Sequence, residues 1–275
     1  MIVFPNCKIN LGLRILRKRD DGFHELETIF YPIPVYDVLE ILPLENQKKG
    51  VVQFQQSGFF IEGTEDQNLC VRAYRLLQET KQDIASVSIH LHKNIPMGAG
   101  LGGGSADGVF TLLALQSLFK LAISNTDNQK MALQLGSDCP FFLQQKPVIG
   151  LGRGEKLSPI SLSLSGYHIL LIHPGISIST AAAFQGVKPT TAGESLAHSI
   201  LEPVEKWKDF IYNQFEETIF LSYPSLKKIK ENLYNWGALY ASMSGSGSTV
   251  FGIFPPDASK PACEAYPWVQ WRKFP

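Results

Sequence analysis

Five glycines in seven positions, within Pro96-Met97-Gly98-Ala99-Gly100-Leu101-Gly102-Gly103-Gly104-Ser105, constrain this chain more than any other segment. Before them comes Val87–Lys93, where Val87, Ile89 and Leu91 alternate with Ser88, His90 and His92 as in a half-buried strand. After them comes Ser105–Phe119, apolar nearly all round and opened by Ser105, Ala106 and Asp107, as in a buried helix. Glycine admits positive φ and lets backbone N–H groups approach an anion, and the start of the following helix turns its positive dipole end to the same spot. The segment reads as a phosphate cradle, because a plain turn does not require a glycine density that costs so much backbone entropy.

Three familiar loops can be held against it. A Walker-type loop ends in Gly-Lys followed by Ser or Thr, whereas Gly104 runs directly into Ser105, so that reading fails. A dinucleotide fingerprint matches formally at Gly98, Gly100 and Gly103, but no clear second strand ending in an acidic residue follows about 20 positions later, which leaves it weak. A protein-kinase loop needs a valine two places after its last glycine, with His-Arg-Asp and Asp-Phe-Gly triplets elsewhere, and the chain has neither triplet.

Lys plus Arg and Asp plus Glu balance at 25 each, which removes any net-charge argument for a nucleic-acid partner or an acidic membrane surface. An anion site must therefore be local. At 275 residues, 44% hydrophobic and 18% charged, the chain has material for one large core or two modest ones. Cys7, Cys70, Cys139 and Cys263 fall at no metal-ligand spacing and read as reduced thiols. The opening MIVFPNCKIN has no basic segment followed by a long apolar one, and no run approaches the roughly 18 apolar residues of a membrane span, so the expected location is cytoplasmic.

Residues 1–62 read as several strands, broken at turns such as Arg19-Asp20-Asp21-Gly22. Apolar residues at 69, 71, 73, 76 and 77 predict a helix over 68–80, and 127–136 reads as a short helix ended by Gly136. Tyr167–His173 is a buried-strand run and 185–200 a polar loop; helices follow over Phe210–Phe220 and Ser225–Trp236, then strands over Ala238–Met243 and Thr249–Phe254. Mixed strands and helices in both halves predict two α+β domains, 1–160 and 161–275. His90 and His92 share a strand face but have no third ligand at suitable spacing, and read as a solvated surface.

PMGAGLGGGSADG resembles the central motif of the GHMP kinases, which include galactokinase, homoserine kinase and mevalonate kinase. Asn6–Leu11 (NCKINL) resembles the first motif of that family and Ser242–Ser248 (SMSGSGS) its third. Asp21–Leu26 (DGFHEL), Gly136–Phe141 (GSDCPF), Gly175–Thr180 (GISIST) and Asn213–Glu216 (NQFE) resemble the branch that phosphorylates cytidylylated methylerythritol. The chain departs from it at Ala106, where many relatives carry a second serine, at Phe23, where tyrosine is frequent, and at Ala181, where some have proline. The resemblance implies a two-domain GHMP fold. Its N-terminal ATP-binding domain is similar to a ribosomal-protein domain with a left-handed β-α-β unit, against the general right-handed preference, and its C-terminal domain is ferredoxin-like. It also implies small-molecule partners only: ATP with Mg²⁺, and cytidylylated methylerythritol, an isoprenoid precursor. The alternatives are a homoserine- or mevalonate-type GHMP kinase and a non-catalytic nucleotide sensor, the last disfavoured by the presence of both Lys8 and Asp138.

Phosphoryl transfer to an alcohol needs an acceptor for the hydroxyl proton and positive charge at the transferring group. The resemblance assigns the first role to Asp138, which as a bare sequence feature is also a common turn or cap residue. Lys8 lies in the otherwise apolar FPNCKINLGL, so it is either paired and functional or on the wet face of an edge strand; the family reading puts it near the base. Asn10, two residues on, shares its strand face and is a candidate hydrogen bond to the acceptor. The implied cytidine pocket holds Phe23, His24, Phe30, Thr180 and Phe184, with Phe23 and Phe184 flanking the base and His24 reading its polar edge; Gly245 of the third motif joins the acceptor site. The implied ATP site is Asn68 and Lys93 on the adenine side, then Pro96, Met97, Gly98, Ala99, Gly100, Leu101, Gly102, Gly103, Gly104, Ser105 and Ala106, with Ser105 as the candidate oxygen for Mg²⁺.

Overall fold

In the strand that leads into the glycine loop, Val87, Ile89 and Leu91 are buried while His90 and His92 face solvent, so the alternation read from the sequence is the alternation of the fold. This is a computed structural model, and it describes residues 1–45, 49–81, 84–190 and 194–275. Its strands are β1 (Ile2–Val3), β2 (Asn6–Lys18), β3 (His24–Tyr36), β4 (Val38–Pro43), β5 (Val52–Gly58), β6 (Val87–Lys93), β7 (Val148–Gly152), β8 (Lys156–Pro159), β9 (His168–His173), β10 (Tyr240–Met243), β11 (Val250–Phe254) and β12 (Trp268–Lys273). Its helices are α1 (Leu69–Thr80), α2 (Gly103–Leu118), α3 (Asn125–Leu135), α4 (Cys139–Phe142), α5 (Thr180–Phe184), α6 (Leu196–Ser199), α7 (Glu216–Ser222) and α8 (Pro224–Asn235).

The chain forms two compact units that interleave in sequence: residues 1–7, 35–97 and 102–145 make the first, and 8–34, 98–101 and 146–275 the second. A single cut at residue 160 therefore does not separate them. The reason is the sheet β2-β3-β7-β8, which draws the long strands of the N-terminal region into the second unit.

In the first unit the sheet order is β1-β4-β6-β5. β5 and β6 run parallel with α1 between them, a β-α-β unit, and β4 pairs antiparallel with β6. α2 buries Val109, Leu112, Ala114 and Leu115, and it lies so close to α1 that a Cβ on Gly108 would come within 2.9 Å of the Leu69 Cβ. This close approach depends on the absence of a side chain at Gly108.

The second unit adds an antiparallel sheet in the order β10-β11-β9-β12, the 4-1-3-2 order of a ferredoxin-like fold read from the other edge. Helices fill the crossover from β9 to β10, whereas residues 255–267, between β11 and β12, contain none. Leu170, Ile172, Phe215, Leu226, Ile229, Leu233, Met243, Val250 and Phe254 form the core beneath α8.

The helix expected over 210–220 is instead confined to Glu216–Ser222. Residues 211–215 run beside β2, with the Leu13 N–H donating to Tyr212 O at 3.0 Å and the Gln214 N–H donating to Leu13 O at 2.8 Å, so that backbone is already committed. β7, β8 and β12 are strands for which the sequence reading had no separate expectation. Within the loop expected over 185–200, the described part carries the short α6, and 191–193 lie outside the described residues. No disulfide joins the four cysteines, and all are buried. Among the described residues no helix is long and apolar enough to cross a membrane.

Candidate active site

The glycine loop enters α2 through Gly102, whose φ of 69° is comfortable only for glycine, and the first turn of α2 has neither a side-chain cap nor an acidic residue. A helix start in that condition offers its backbone N–H groups to an anion. Beside it, in the first unit, is a pocket of about 230 Å³ lined by Phe54, Ile61, Leu69, Asn68, Met97, Gly104 and Asp107, with Glu62 and Glu65 at its polar side. With carboxylates and no lysine or arginine in its lining, this pocket suits an uncharged ring and sugar rather than phosphates. Of the residues expected at the ATP site, Asn68, Met97 and Gly104 line it. Asn68 is also the cap of α1, accepting from the Cys70 N–H at 2.9 Å.

Lys93 is not in that lining. It continues the buried phase of β6, and its ammonium donates to Asp37 at 2.5 Å and to Asp107 at 2.8 Å with all three side chains essentially excluded from solvent. The other Asp37 oxygen accepts from the N–H groups of Asn94 and Ile95 at 2.6 and 2.9 Å, which ties down the approach to the loop. A Cβ on Gly103 would lie 3.2 Å from the Lys93 Nζ, so the lysine sits directly under the start of α2. Burial pushes the Asp107 carboxyl up against the pull of Lys93, with Asp37 adding to the rise, to about 7. Asp107 Oδ1 has no hydrogen-bond partner within the protein.

Asp138 follows the Gly136 cap of α3 and opens α4, half-buried, with Pro140 at the helix start fixing the backbone behind it. Its neighbour Cys139 is fully buried, and burial holds its thiol up at about 12, far from a reactive thiolate. Ser105 is half-buried in the first turn of α2 and Ala106 fully buried.

In the second unit, three segments far apart in sequence converge on one carbonyl. Gly100 O accepts from the Lys8 ammonium at 3.0 Å and from the Ser244 hydroxyl at 2.8 Å. Lys8 also donates to Asn10 Oδ1 at 2.6 Å and stands 5.4 Å from the centre of the buried Phe30 ring. Gly100 has φ 76°, and a Cβ on it would lie 2.0 Å from Ser244 O, so no other residue fits. Gly245 is less tightly placed, its hypothetical Cβ 3.3 Å from Asn10 Oδ1 and from Gly100 O. Asn213 holds the third motif by donating to Met243 O and Gly245 O, both at 2.7 Å.

His24 and Phe184 stack on one another at 4.6 Å and 14°, with Phe215 edge-on to Phe184 at 4.9 Å. Phe23, expected to flank the base together with Phe184, is 52% exposed and carries the Arg153 guanidinium 4.7 Å above its ring. Burial, and then the charge of Lys18, lower the His24 pKa, which favours the uncharged ring with one donor and one acceptor nitrogen. Thr180 begins α5, its hydroxyl 3.4 Å from that of Ser246.

The GHMP kinases N terminal domain matches residues 68–146 and the GHMP kinases C terminal domain residues 197–267. The chain belongs to the GHMP kinases. It is 48% identical to a 4-diphosphocytidyl-2-C-methyl-D-erythritol kinase of Bacteroides fragilis over 94% of this chain and 93% of that one. A protein of the same name from Cytophaga hutchinsonii is 47% identical over 92% of each. A crystal structure of 4-(cytidine 5'-diphospho)-2C-methyl-D-erythritol kinase superposes with a TM-score of 0.82 at 31% identity, covering 98% of both chains. A homoserine kinase of Cytophaga hutchinsonii, with a TM-score of 0.64 at 18% identity over 92% of this chain and 86% of that one, shares the fold.

For this GHMP kinase the sequence reading had no role for Thr28, Ser244, Asp37, Asp107 or Arg153. Asp37 and Asp107 had one signal in the sequence, the β6 alternation that puts Lys93 on the buried face, where a lysine requires counter-charges. In the sequence the NQFE segment, Asn213–Glu216, is legible only by resemblance. Its physical job is fastening: besides Asn213, Gln214 accepts from the Ile15 N–H at 2.7 Å, and Glu216 accepts from the Met243 N–H at 2.7 Å and the Ser242 hydroxyl at 2.9 Å.

Proposed function

We propose that this GHMP kinase moves the γ-phosphoryl group of ATP to the 2-hydroxyl of 4-diphosphocytidyl-2-C-methyl-D-erythritol, giving the 2-phosphate and ADP in isoprenoid precursor synthesis. The hydroxyl proton passes to the Asp138 carboxylate as the oxygen attacks the γ-phosphorus. The bond to the bridging oxygen breaks, and ADP leaves with that electron pair. Lys8 supplies positive charge to the reacting groups, and its tether to Gly100 O supports this role, because a charge held in place needs no reorganisation during reaction. That tether, joining the first motif to the glycine loop, carries the reading of the reaction. The acceptor is supported by relatives 44–48% identical over at least 92% of the chain that bear its name.

Adenine and ribose go to the pocket at Asn68, Met97 and Gly104, and the phosphates to the N–H groups of the loop and the first turn of α2. The His24–Phe184 pair is a flat surface for the cytosine, with the neutral imidazole able to both donate and accept. Among the described residues no three His, Cys, Asp or Glu side chains converge on a metal position. Mg²⁺ commonly takes one or two protein oxygens plus phosphate oxygens, so the Ser105 hydroxyl in the first turn of α2 fits as its protein ligand. The ion's chemical contribution, when bound, is to neutralise charge on the β- and γ-phosphates.

The direct test is ADP release with ATP and Mg²⁺ against cytidylylated methylerythritol, free methylerythritol phosphate, homoserine and mevalonate. Turnover confined to the cytidylylated alcohol is expected. Equal efficiency with homoserine or mevalonate overturns the acceptor while leaving the family untouched.

A further inference from the structure

The Lys8 ammonium has only hydrogens to offer, so the Asn10 atom 2.6 Å from it is necessarily the amide oxygen. The amide nitrogen then points to Thr28 and donates to its hydroxyl oxygen at 2.9 Å. Having accepted there, the Thr28 hydroxyl sends its single hydrogen onward, to Gly12 O at 2.6 Å. Each direction in this chain is forced by the one before it. Its end point is equally constrained: Gly12 has φ 73°, and a Cβ on it would lie 2.8 Å from Leu196, so the carbonyl that receives the Thr28 proton is held by a backbone only glycine adopts there. Lys8 and Asn10 are each 2% exposed and Thr28 is 1% exposed, so water does not compete along the chain.

We propose that Thr28 is a positioning residue for the reaction, holding the Lys8 ammonium in place through the side chain of Asn10. Thr28 touches neither Lys8 nor the glycine loop in this network. Its acceptor oxygen keeps the Asn10 amide from rotating, and a rotated amide would turn an N–H₂ group toward the ammonium. This inference rests on the reading that Lys8 acts on the transferring phosphoryl group.

Four proteins test it: Thr28→Val, which keeps the shape and loses the acceptor, Thr28→Ser, which keeps the hydroxyl, Lys8→Met, and Lys8→Met with Thr28→Val. Each is assayed for ADP release with the acceptor that wild type uses, alongside thermal melting. Thr28→Val is expected to lower kcat by about ten- to a hundredfold with KM for ATP within about twofold, a misplacement effect rather than a binding one. Thr28→Ser should retain at least about half of wild-type kcat, and Thr28→Val should cost nothing further once Lys8 is Met. The inference is overturned if Thr28→Val is harmless, if Thr28→Ser is equally impaired, or if the loss from Thr28→Val persists in full in the Lys8→Met background. A fully active Lys8→Met overturns instead the role of Lys8 itself, whatever Thr28 does. Should Thr28→Val not fold, Thr28→Cys, whose sulfur is a poor acceptor, replaces it with the same expectations.

Discussion

Lys8 shows how a single residue's role is set by what surrounds it. An ammonium that is 2% exposed is tolerated only when hydrogen-bonded, and here Asn10 and the Gly100 carbonyl supply acceptors while Phe30 presents its ring. That Lys8 needed partners was legible from the apolar strand around it; that one partner is a backbone oxygen 92 positions away was not. Asp138 is legible only by resemblance, since a carboxylate after Gly-Ser also makes an ordinary helix start, as it does at α4. As the proton acceptor, Asp138→Asn should lower kcat by about 10²- to 10⁴-fold while nucleotide affinity by calorimetry stays within a few fold. Retention of more than about half of wild-type kcat would remove it from that role. Phe184 is expected to act through binding. Its removal by Phe184→Ala deletes the ring on which His24 lies, and a base-on-aromatic contact is worth about 1 to 3 kcal/mol. KM for the cytidylylated acceptor should therefore rise roughly five- to 150-fold, with kcat and KM for ATP little changed in steady-state kinetics.

Among the elements, the glycine loop is the clearest case of local sequence and long-range packing acting at once. Gly98 and Gly100 share a left-handed backbone, with φ 63° and 76°, so an alanine at either carries a similar strain of about 1 to 2 kcal/mol. Their surroundings differ: a Cβ on Gly98 meets only the Ser177 hydroxyl at 3.8 Å, whereas on Gly100 it meets backbone oxygens of Ser244 and Gly247 at 2.0 and 3.0 Å. Gly100→Ala is thus expected to melt on the order of 4 °C lower than Gly98→Ala and to lose far more activity, because the clash is with backbone that cannot rotate away. Identical melting curves for the two variants would mean that the third motif yields to the loop. The remaining elements divide by the same logic. α1, β6, α3, β9 and α8 were readable because their apolar periodicity is their own, and 210–215 was misread as helix because its backbone is claimed by β2.

At the scale of the whole molecule, Asp37, Lys93 and Asp107 are what one buried cation between two carboxylates does to stability. Asp107 holds its proton to about pH 7 in the folded protein, against an ordinary value of 3.8. Between those values the folded state binds the extra proton, so unfolding becomes easier as pH rises. Asp107→Asn removes the titration, and urea unfolding at pH 5 and pH 7.5 should show a smaller fall in stability for the variant than for wild type. Equal falls in both proteins would assign the pH dependence to groups other than Asp107; the buried His173 is not one of them, since a histidine whose pKa burial lowers stabilises the fold as pH rises.

What the sequence determined by itself was the family, the position of the phosphate loop between a strand and a helix, and the mixture of strands and helices in both halves, because each of these is written in neighbouring residues. Hydrophobic period, glycine density and short motifs need no knowledge of what lies across the fold. Only the tertiary structure decided that Gly100 O is shared by Lys8 and Ser244, that Lys93 is locked between Asp37 and Asp107, and that His24 rather than Phe23 lies on Phe184. Those pairings depend on strand register and on which backbone groups remain for side chains once the sheets have formed. A hydrogen bond forms only within a few tenths of an ångström of its proper distance, and no local pattern in the chain carries that information.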